Sequence, residues 1–330
     1  LADDAEVNAV ATDPAGNTSD PVTAIVDGLP PAAGDNSVTI DSGNDAFLNA
    51  DEAGNVTLTG QIEDGASIAS LVISDGDEGS VSVDPATVTI ADDGSFSYSG
   101  ADLSALADGE LTATLTVEDA AGNAAPFTDT ATLDTAAPDA PTVDPTDGDD
   151  ITGTAEVGST VTVSDADGNA IGEPVLVGDD GTWSVTPDIP LGDGDSVNAV
   201  ATDPAGNASD PVTAIVDGLP PAAGDNSVTI DSGDDAFLNA DEAGNVTLTG
   251  QIEDGASIES LVISDNSGNS AIITLDQITL NADGSFVTEA IDLSALADGE
   301  LTATLTVEDA AGNSAEFTDS ATLDTVAPDA

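Results

Sequence analysis

Apolar and polar residues alternate with a period of two in short runs at residues 37–40, 55–62, 68–74, 80–90, 95–99, 111–117 and 127–133, separated by Gly, Asp and Asn. That period sends every second side chain to one face and predicts half-buried β-strands. A second set lies at 142–143, 151–155, 160–164, 174–177, 182–186, 196–201 and 212–216. No helical period competes with it, and residues 103–106 predict one turn at most. Seven short strands in about a hundred residues fit a two-sheet sandwich with Greek-key links. The fold class is therefore all-β: tandem immunoglobulin-like Greek-key β-sandwiches of about seven strands each.

The domain organisation follows from an internal repeat with an offset of 190 residues. Residues 7–40 recur almost unchanged as 197–230, and 102–123 recur identically as 292–313. Both halves of the repeating unit close in the same way, with a strand, an Asp-x-Ala-Gly-Asn turn, a last strand ending on Asp, and a linker rich in Pro and Ala. The expected domains are 1–30, the C-terminal part of a short domain; 31–138, a long one; 139–220, a short one; and 221–330, a long one. Phe96, Phe127, Phe286, Phe317 and Trp183 fall inside strand patterns and are expected in the cores. The chain begins at Leu1 without Met and reads as a piece of something longer, with targeting signals outside it.

Composition then removes most chemistry. The 330 residues contain 65 Asp and Glu and no Lys, Arg, His or Cys, for a formal net charge of -65. That excludes nucleophilic triads, Cys/His pairs, Schiff-base lysines, phosphate-clamping arginines and thiolate metal sites. No basic patch exists to hold nucleic acid against the charge of the whole protein. No run of 18 apolar residues predicts membrane insertion. A glycosidase built on two carboxylates needs only Asp and Glu, but these carboxylates recur at domain ends instead of forming one singular pair. The chain is read as a non-enzyme.

Strands placed in an immunoglobulin-like order bring the B–C and F–G loops to the end where the chain enters a domain, beside the last strand of the domain before. The junction into 31–138 then gathers Asp27, Glu63, Asp119 and Asn123. The junction between 31–138 and 139–220 gathers Asp134, Asp139, Glu156, Asp203 and Asn207, and the one between 139–220 and 221–330 gathers Asp217, Glu253, Asp309 and Asn313. Carboxylates crowded without Lys or Arg must protonate, spread apart or bind a cation. An all-oxygen donor set suits Ca²⁺, so one or more Ca²⁺ are expected at each junction; Zn²⁺ is disfavoured. The bland reading is that Asp-x-Ala-Gly-Asn is a tight turn whose Asp and Asn satisfy their own backbone. Acidic turns at 75–78, 147–150, 165–169 and 193–195 resemble fragments of calcium loops but complete none.

The Asp-x-Ala-Gly-Asn turn, the Leu-Asp-Thr-x-Ala-Pro linker and the Gly-Thr-Ala-Glu-x-Gly-Ser-Thr-Val-Thr-Val segment at 153–163 resemble the bacterial immunoglobulin-like repeats of giant secreted adhesins, the biofilm-associated and repeats-in-toxin adhesins. The resemblance covers essentially the whole chain. It implies type I secretion, retention at the bacterial cell surface, Ca²⁺ at the linkers named above, and a mechanical role. Neighbouring repeats of the same chain are the expected partners, in a monomer with no small-molecule substrate. Strands of eight to ten residues give domains on the order of 30 to 40 Å, so that three in series span about 100 to 120 Å. The alternative reading is an adhesive module that grips a glycan, ice or a protein through the strands at 76–101 and 266–291, where the two long domains diverge.

Overall fold

The structure, a computed structural model, describes residues 1–43, 45–77, 79–233 and 235–327. It contains two compact units, Leu1–Pro138 with Thr202–Ala208 and Asp139–Ala201 with Ser209–Ala330. The described residues are nearly all strand and turn, with three single-turn 3-10 helices.

In the first unit, β1 (Glu6–Ala9) and β2 (Val22–Ile25) form an antiparallel hairpin. A long sandwich follows: β3 (Ser37–Asp41), β4 (Phe47–Leu48), β5 (Val56–Gln61), β6 (Ser67–Ser74), β7 (Ser80–Val83), β8 (Thr89–Ile90), β9 (Ser95–Ala101), β10 (Gly109–Glu118) and β11 (Ala124–Leu133). Its sheets run β3-β5-β9-β8 and β4-β11-β10-β6-β7, the immunoglobulin-type partition in which the first strand is shared between both sheets as β3 and β4.

In the second unit, apart from Thr202, the short sandwich comprises β12 (Ile151–Thr154), β13 (Thr160–Asp165), β14 (Val175–Leu176), β15 (Thr182–Val185), β16 (Ser196–Thr202) and β17 (Val212–Ile215), in sheets β12-β15 and β14-β13-β16-β17. Thr142 and Asp144 donate backbone N–H groups to Thr154 and Thr152, both at 2.8 Å, and so line β12. The second long sandwich comprises β18 (Ser227–Ile230), β19 (Phe237–Leu238), β20 (Leu248–Gln251), β21 (Ser257–Asp265), β22 (Ser270–Ile273), β23 (Ile278–Leu280), β24 (Ser285–Thr288), β25 (Gly299–Glu308) and β26 (Ser314–Leu323), and its sheets repeat the order of the first.

Alternation becomes burial as expected. Along β10, Leu111, Ala113, Leu115 and Val117 are fully buried, while Thr112, Thr114 and Thr116 between them are half-buried. Burying each such leucine contributes about 1.5–3 kcal/mol. Each sandwich has its own core cluster, reaching from Val38 to Leu133, from Ile151 to Val216 and from Val228 to Leu323. A polar tie crosses each long core: Asp129 accepts from Ile40 N–H at 2.9 Å and Asp319 from Ile230 N–H at 2.8 Å, joining the two sheets through a carboxylate.

A cross-strand pairing recurs in all three sandwiches. Gly60 lies opposite Phe96, Gly153 opposite Trp183 and Gly250 opposite Phe286. The aromatic ring lies over the glycine so closely that a Cβ at Gly60 or Gly250 would strike it at about 2.5 Å and would also strike a carbonyl of the neighbouring strand. The aromatic thus covers backbone that no larger residue could share with it.

The structure departs from the sequence expectations at short elements. β4 and β19 have two residues each and pair in parallel with β11 and β26, too short to display a period. The run at 80–90 is two strands separated by a 3-10 turn at Pro85–Thr87, started by Asp84, whose carboxylate accepts from Ala86 N–H. Glu78, part of the acidic run at 75–78, lies outside the described residues, as do residues 328–330 of the last expected domain.

Candidate functional site

The Asp-x-Ala-Gly-Asn turns join the two penultimate and last strands of each sandwich, and their hydrogen bonds begin with the tight turn itself. Asp119 N–H donates to Asn123 O at 3.0 Å, and Gly122 takes φ 91°, a conformation open to glycine. The Asp119 carboxylate accepts from Ala121 N–H (2.8 Å), Asn123 N–H (2.9 Å) and the Asn123 side-chain amide (2.8 Å). Asp309 and Asn313 repeat the set, and Asp203 and Asn207 repeat its asparagine part.

The second hydrogen of that amide leaves the turn. Asn123 donates to the backbone carbonyl of Asp27 at 3.2 Å, Asn207 to that of Asp134 at 2.9 Å, and Asn313 to that of Asp217 at 2.7 Å. Each acceptor is the residue that closes the preceding last strand. Turns of the same build at Asp13–Asn17, Asp165–Asn169 and Asp265–Asn269 keep the amide-to-carboxylate bond, but among the described residues their amides reach no such carbonyl. The inner bond belongs to the turn; the outer one belongs to the junction.

The other expected site residues divide. Glu63 and Glu253 do face the incoming linker: the Glu63 carboxylate accepts from Ala32 N–H (3.3 Å) and from Asn36 (2.9 Å), and Glu253 does the same with Ala222 (3.3 Å) and Asn226 (2.8 Å). Asn36 and Asn226 are buried. The carboxylates of Asp27, Asp134 and Asp217 accept from the N–H two residues on, within their own linkers. Asp139 and Glu156 are exposed.

Sequence reasoning missed Asn36, Asn226 and Asn49. The signal was present, since Asp-Asn-Ser-Val-Thr-Ile and Phe-Leu-Asn-Ala-Asp-Glu each occur twice unchanged, but neither sits in the loops where carboxylates were sought. Asn49 donates to Ala205 O at 3.0 Å, and Ala50 N–H donates to the Asn207 side-chain oxygen at 3.0 Å, both within the first unit.

The donor chemistry at each junction, a carboxylate, a backbone carbonyl and an amide, is of the kind Ca²⁺ takes. The amide nitrogen of Asn123, Asn207 or Asn313 stands where the carboxylate and carbonyl oxygens meet. Among the described residues no three acidic side chains converge as a metal-holding group. The residues therefore fit Ca²⁺ in donor type, with hydrogen bonds holding the same oxygens here.

Hydrogen bonds to the ionised form hold the Asp119 carboxyl below the usual range, the Asn123 side chain contributing most. Asp165 and Asp265 are lowered too, Asp265 chiefly by the N–H of Ala297. Because the folded value lies below the unfolded one, these groups support the fold above the unfolded pKa and lose that support as pH falls through the folded value. Carboxyl titration by carbon NMR is expected to give midpoints for Asp119, Asp165 and Asp265 below the free value of about 3.9. The Asn123→Ala variant should move Asp119 back up toward it; a midpoint for Asp119 unchanged by that variant would remove the turn hydrogen bond as the cause.

Residues 137–218, which include the short sandwich, match the family model described as a bacterial Ig domain. The chain is similar to a tetra-tandem repeat in the extending region of a large adhesion protein, at 28% identity over 97% of this chain and 81% of that one, with a TM-score of 0.30. It is also similar to a Ca²⁺-stabilised adhesin with which an Antarctic bacterium reaches out and binds ice, at 24% identity over 97% and 81%, TM-score 0.33. A third similar structure comes from a 1.5-MDa bacterial ice-binding adhesin, at 25% identity over 90% and 99%, TM-score 0.32. No curated protein matches the chain.

Proposed function

We propose that this chain is a structural extender segment of a bacterial surface adhesin: immunoglobulin-like domains at 31–138, 139–220 and 221–330, preceded by the end of another at 1–30, that carry distal adhesive modules away from the cell. The observation behind this reading is the threefold recurrence of one junction bond, from the asparagine of an Asp-x-Ala-Gly-Asn turn to the carbonyl that closes the preceding last strand. A chain that spends the same contact at every join is built for serial connection. In this reading the chain is a non-enzyme, and its composition offers no Lys, Arg, His or Cys for catalysis.

Calcium at the junctions is the finer part of the proposal. Asp27, Glu63, Asp119 and Asn123 would hold it at the first junction, Asp134, Asp139, Glu156, Asp203 and Asn207 at the second, and Asp217, Glu253, Asp309 and Asn313 at the third. When bound, Ca²⁺ supplies the positive charge that the chain itself lacks, and binding to the folded form alone stabilises it by mass action. Surface exposure after type I secretion, and action as a monomer whose partners are its own neighbouring repeats, belong to the same proposal.

The test is small-angle X-ray scattering in millimolar Ca²⁺ and in chelator at constant ionic strength, with calorimetric Ca²⁺ titration beside it. The expected result is saturable binding, and a longest dimension in Ca²⁺ that shrinks or blurs in chelator. Absence of binding with superimposable profiles would overturn the calcium part. A collapsed particle in both conditions would overturn the extender.

A further inference from the structure

The three junction asparagines are not equivalent. Asn123 and Asn313 make one bond each beyond their own turn and are half-buried. Asn207 is only 7% exposed and uses both ends of its amide: the nitrogen donates to Asp134 O, and the oxygen accepts from Ala50 N–H. Asn49 adds a bond in the opposite sense, to Ala205 O, and Ala205 is 1% exposed. Gly206 has φ 95°, and a Cβ there would approach the Asn49 amide nitrogen to 3.2 Å. The contact therefore requires glycine both for the turn and for close approach.

The Asn49 loop is organised before it meets that turn. The Asn49 side-chain oxygen accepts from the N–H groups of Asp51 and Glu52, and the Glu52 carboxylate accepts from Asn49 N–H. This reciprocal arrangement leaves the Asn49 amide nitrogen and the Ala50 N–H as its outward donors. Asn239 and Glu242 repeat the same arrangement in an identical stretch of sequence. Among the described residues the Asn239 amide nitrogen and Ala240 N–H have no acceptor, so Ala240 serves as the reference for the same loop without a partner turn.

We propose that Asn49 and Asn207 form a two-asparagine clamp that seats the Asp203–Asn207 turn on the Asn49–Glu52 loop and fixes the Asn207 oxygen on Ala50 N–H, whereas beyond their own turns Asn123 and Asn313 are held by single bonds. The clamp orients its amide from both ends. Turning the Asn207 oxygen inward would set its amide nitrogen against the Ala50 N–H, donor facing donor, and would give up the bonds to both Ala50 N–H and Asp134 O. Asn123 and Asn313 have no such brake. At the junction between 31–138 and 139–220 the clamp therefore takes the Asn207 oxygen out of the Ca²⁺ donor set and leaves Asp134, Asp139, Glu156 and Asp203 as the ligands proposed there. This deepens the extender reading and rests on it only for that last consequence.

The test is amide hydrogen exchange on the whole chain by NMR, comparing Ala50 with Ala240, which sits in the same local sequence. Ala50 is expected to exchange at least about tenfold more slowly than Ala240, equally in Ca²⁺ and in chelator, as for a donor closed by a buried acceptor. The Asn207→Ala variant should bring Ala50 to the rate of Ala240. Should that variant unfold the short domain, Asn49→Ala, which keeps the Asn207 oxygen, should lower Ala50 protection only part of the way. Equal exchange at Ala50 and Ala240, or protection present in Ca²⁺ and gone in chelator, would overturn the clamp. These rates are independent of particle length, so scattering can defeat the extender while the clamp stands, and the reverse.

Discussion

Replacing Trp183 with alanine is expected to unfold the short sandwich at denaturant concentrations that leave both long sandwiches folded. The indole is 3% exposed in a core whose other buried members are Val, Ile and Ala. Removing a buried Trp or Phe typically costs about 3–5 kcal/mol. Domains are stable by about 5–15 kcal/mol, and small ones sit near the bottom of that range. The loss is therefore comparable to everything the domain has. Trp183→Phe should cost much less, because the ring still covers Gly153 and because the Trp183 Nε1 hydrogen is buried without an acceptor among the described residues. Losing a stranded donor returns part of what the smaller ring gives up. The check is a urea titration followed at the methyls of Val163 and Leu115, which report the short and first long cores separately. If Trp183→Ala moves the Val163 midpoint no more than the phenylalanine variant does, the indole is not what holds this core.

The second large effect is a monotonic rise in thermal stability with sodium chloride. In most proteins salt screens attraction and repulsion together, so the sign varies. Here no side chain carries positive charge, and the formal net charge is -65. Screening can act only on repulsion. The Debye length falls from about 30 Å at 0.01 M to about 3 Å at 1 M, so repulsion between strands and turns nearly vanishes over that range. Each kcal/mol of repulsion relieved raises the midpoint of a small domain by about 4–8 °C, and a rise of at least that size is expected. Differential scanning calorimetry across the salt series, in chelator, reads it directly. A flat or falling midpoint would mean that the carboxylates are already neutralised by protons or bound ions, and would turn attention to their titration.

Legibility in the sequence followed length and charge. Strands of four or more residues with one buried face announce themselves, and β10 with its four fully buried positions is the clearest case. β4 is invisible, because two residues have no period and its pairing partner lies in β11, more than eighty residues away. Phe96, Phe286 and Trp183 were legible as core, Phe127 and Phe317 proved only partly buried against it, and the glycine opposite each of the first three was not legible. Gly60, Gly153 and Gly250 look like strand-weakening positions until the facing ring is known.

The junctions divide in the same way. The Asp-x-Ala-Gly-Asn turns could be located, and their proximity to Asp27, Asp134 and Asp217 deduced from strand order. Attention to charge led to the carboxylates, and Asn123, Asn207 and Asn313 were found with their turns, but three other asparagines were passed over. Asn36 and Asn226 hold Glu63 and Glu253, and Asn49 meets the Asp203–Asn207 turn. Side-chain amides have no charge pattern to betray them, and their partners are backbone atoms, which every residue possesses.

By itself the sequence determined the all-β class, the repeat, the absence of cationic side chains and the restriction of metal-binding chemistry to oxygen donors, since each of these depends on composition or on contacts between near neighbours. The tertiary structure alone decided which oxygen faces which nitrogen. Asn49 and Asn207 stand 158 positions apart in the chain, and nothing in either local stretch specifies the other. Only when strand pairing has brought Asp134 and the two loops together does one amide find a carbonyl on one side and an N–H on the other. Hydrogen bonds are decided within a few tenths of an ångström, a precision that a folded backbone supplies and a pattern of residues cannot.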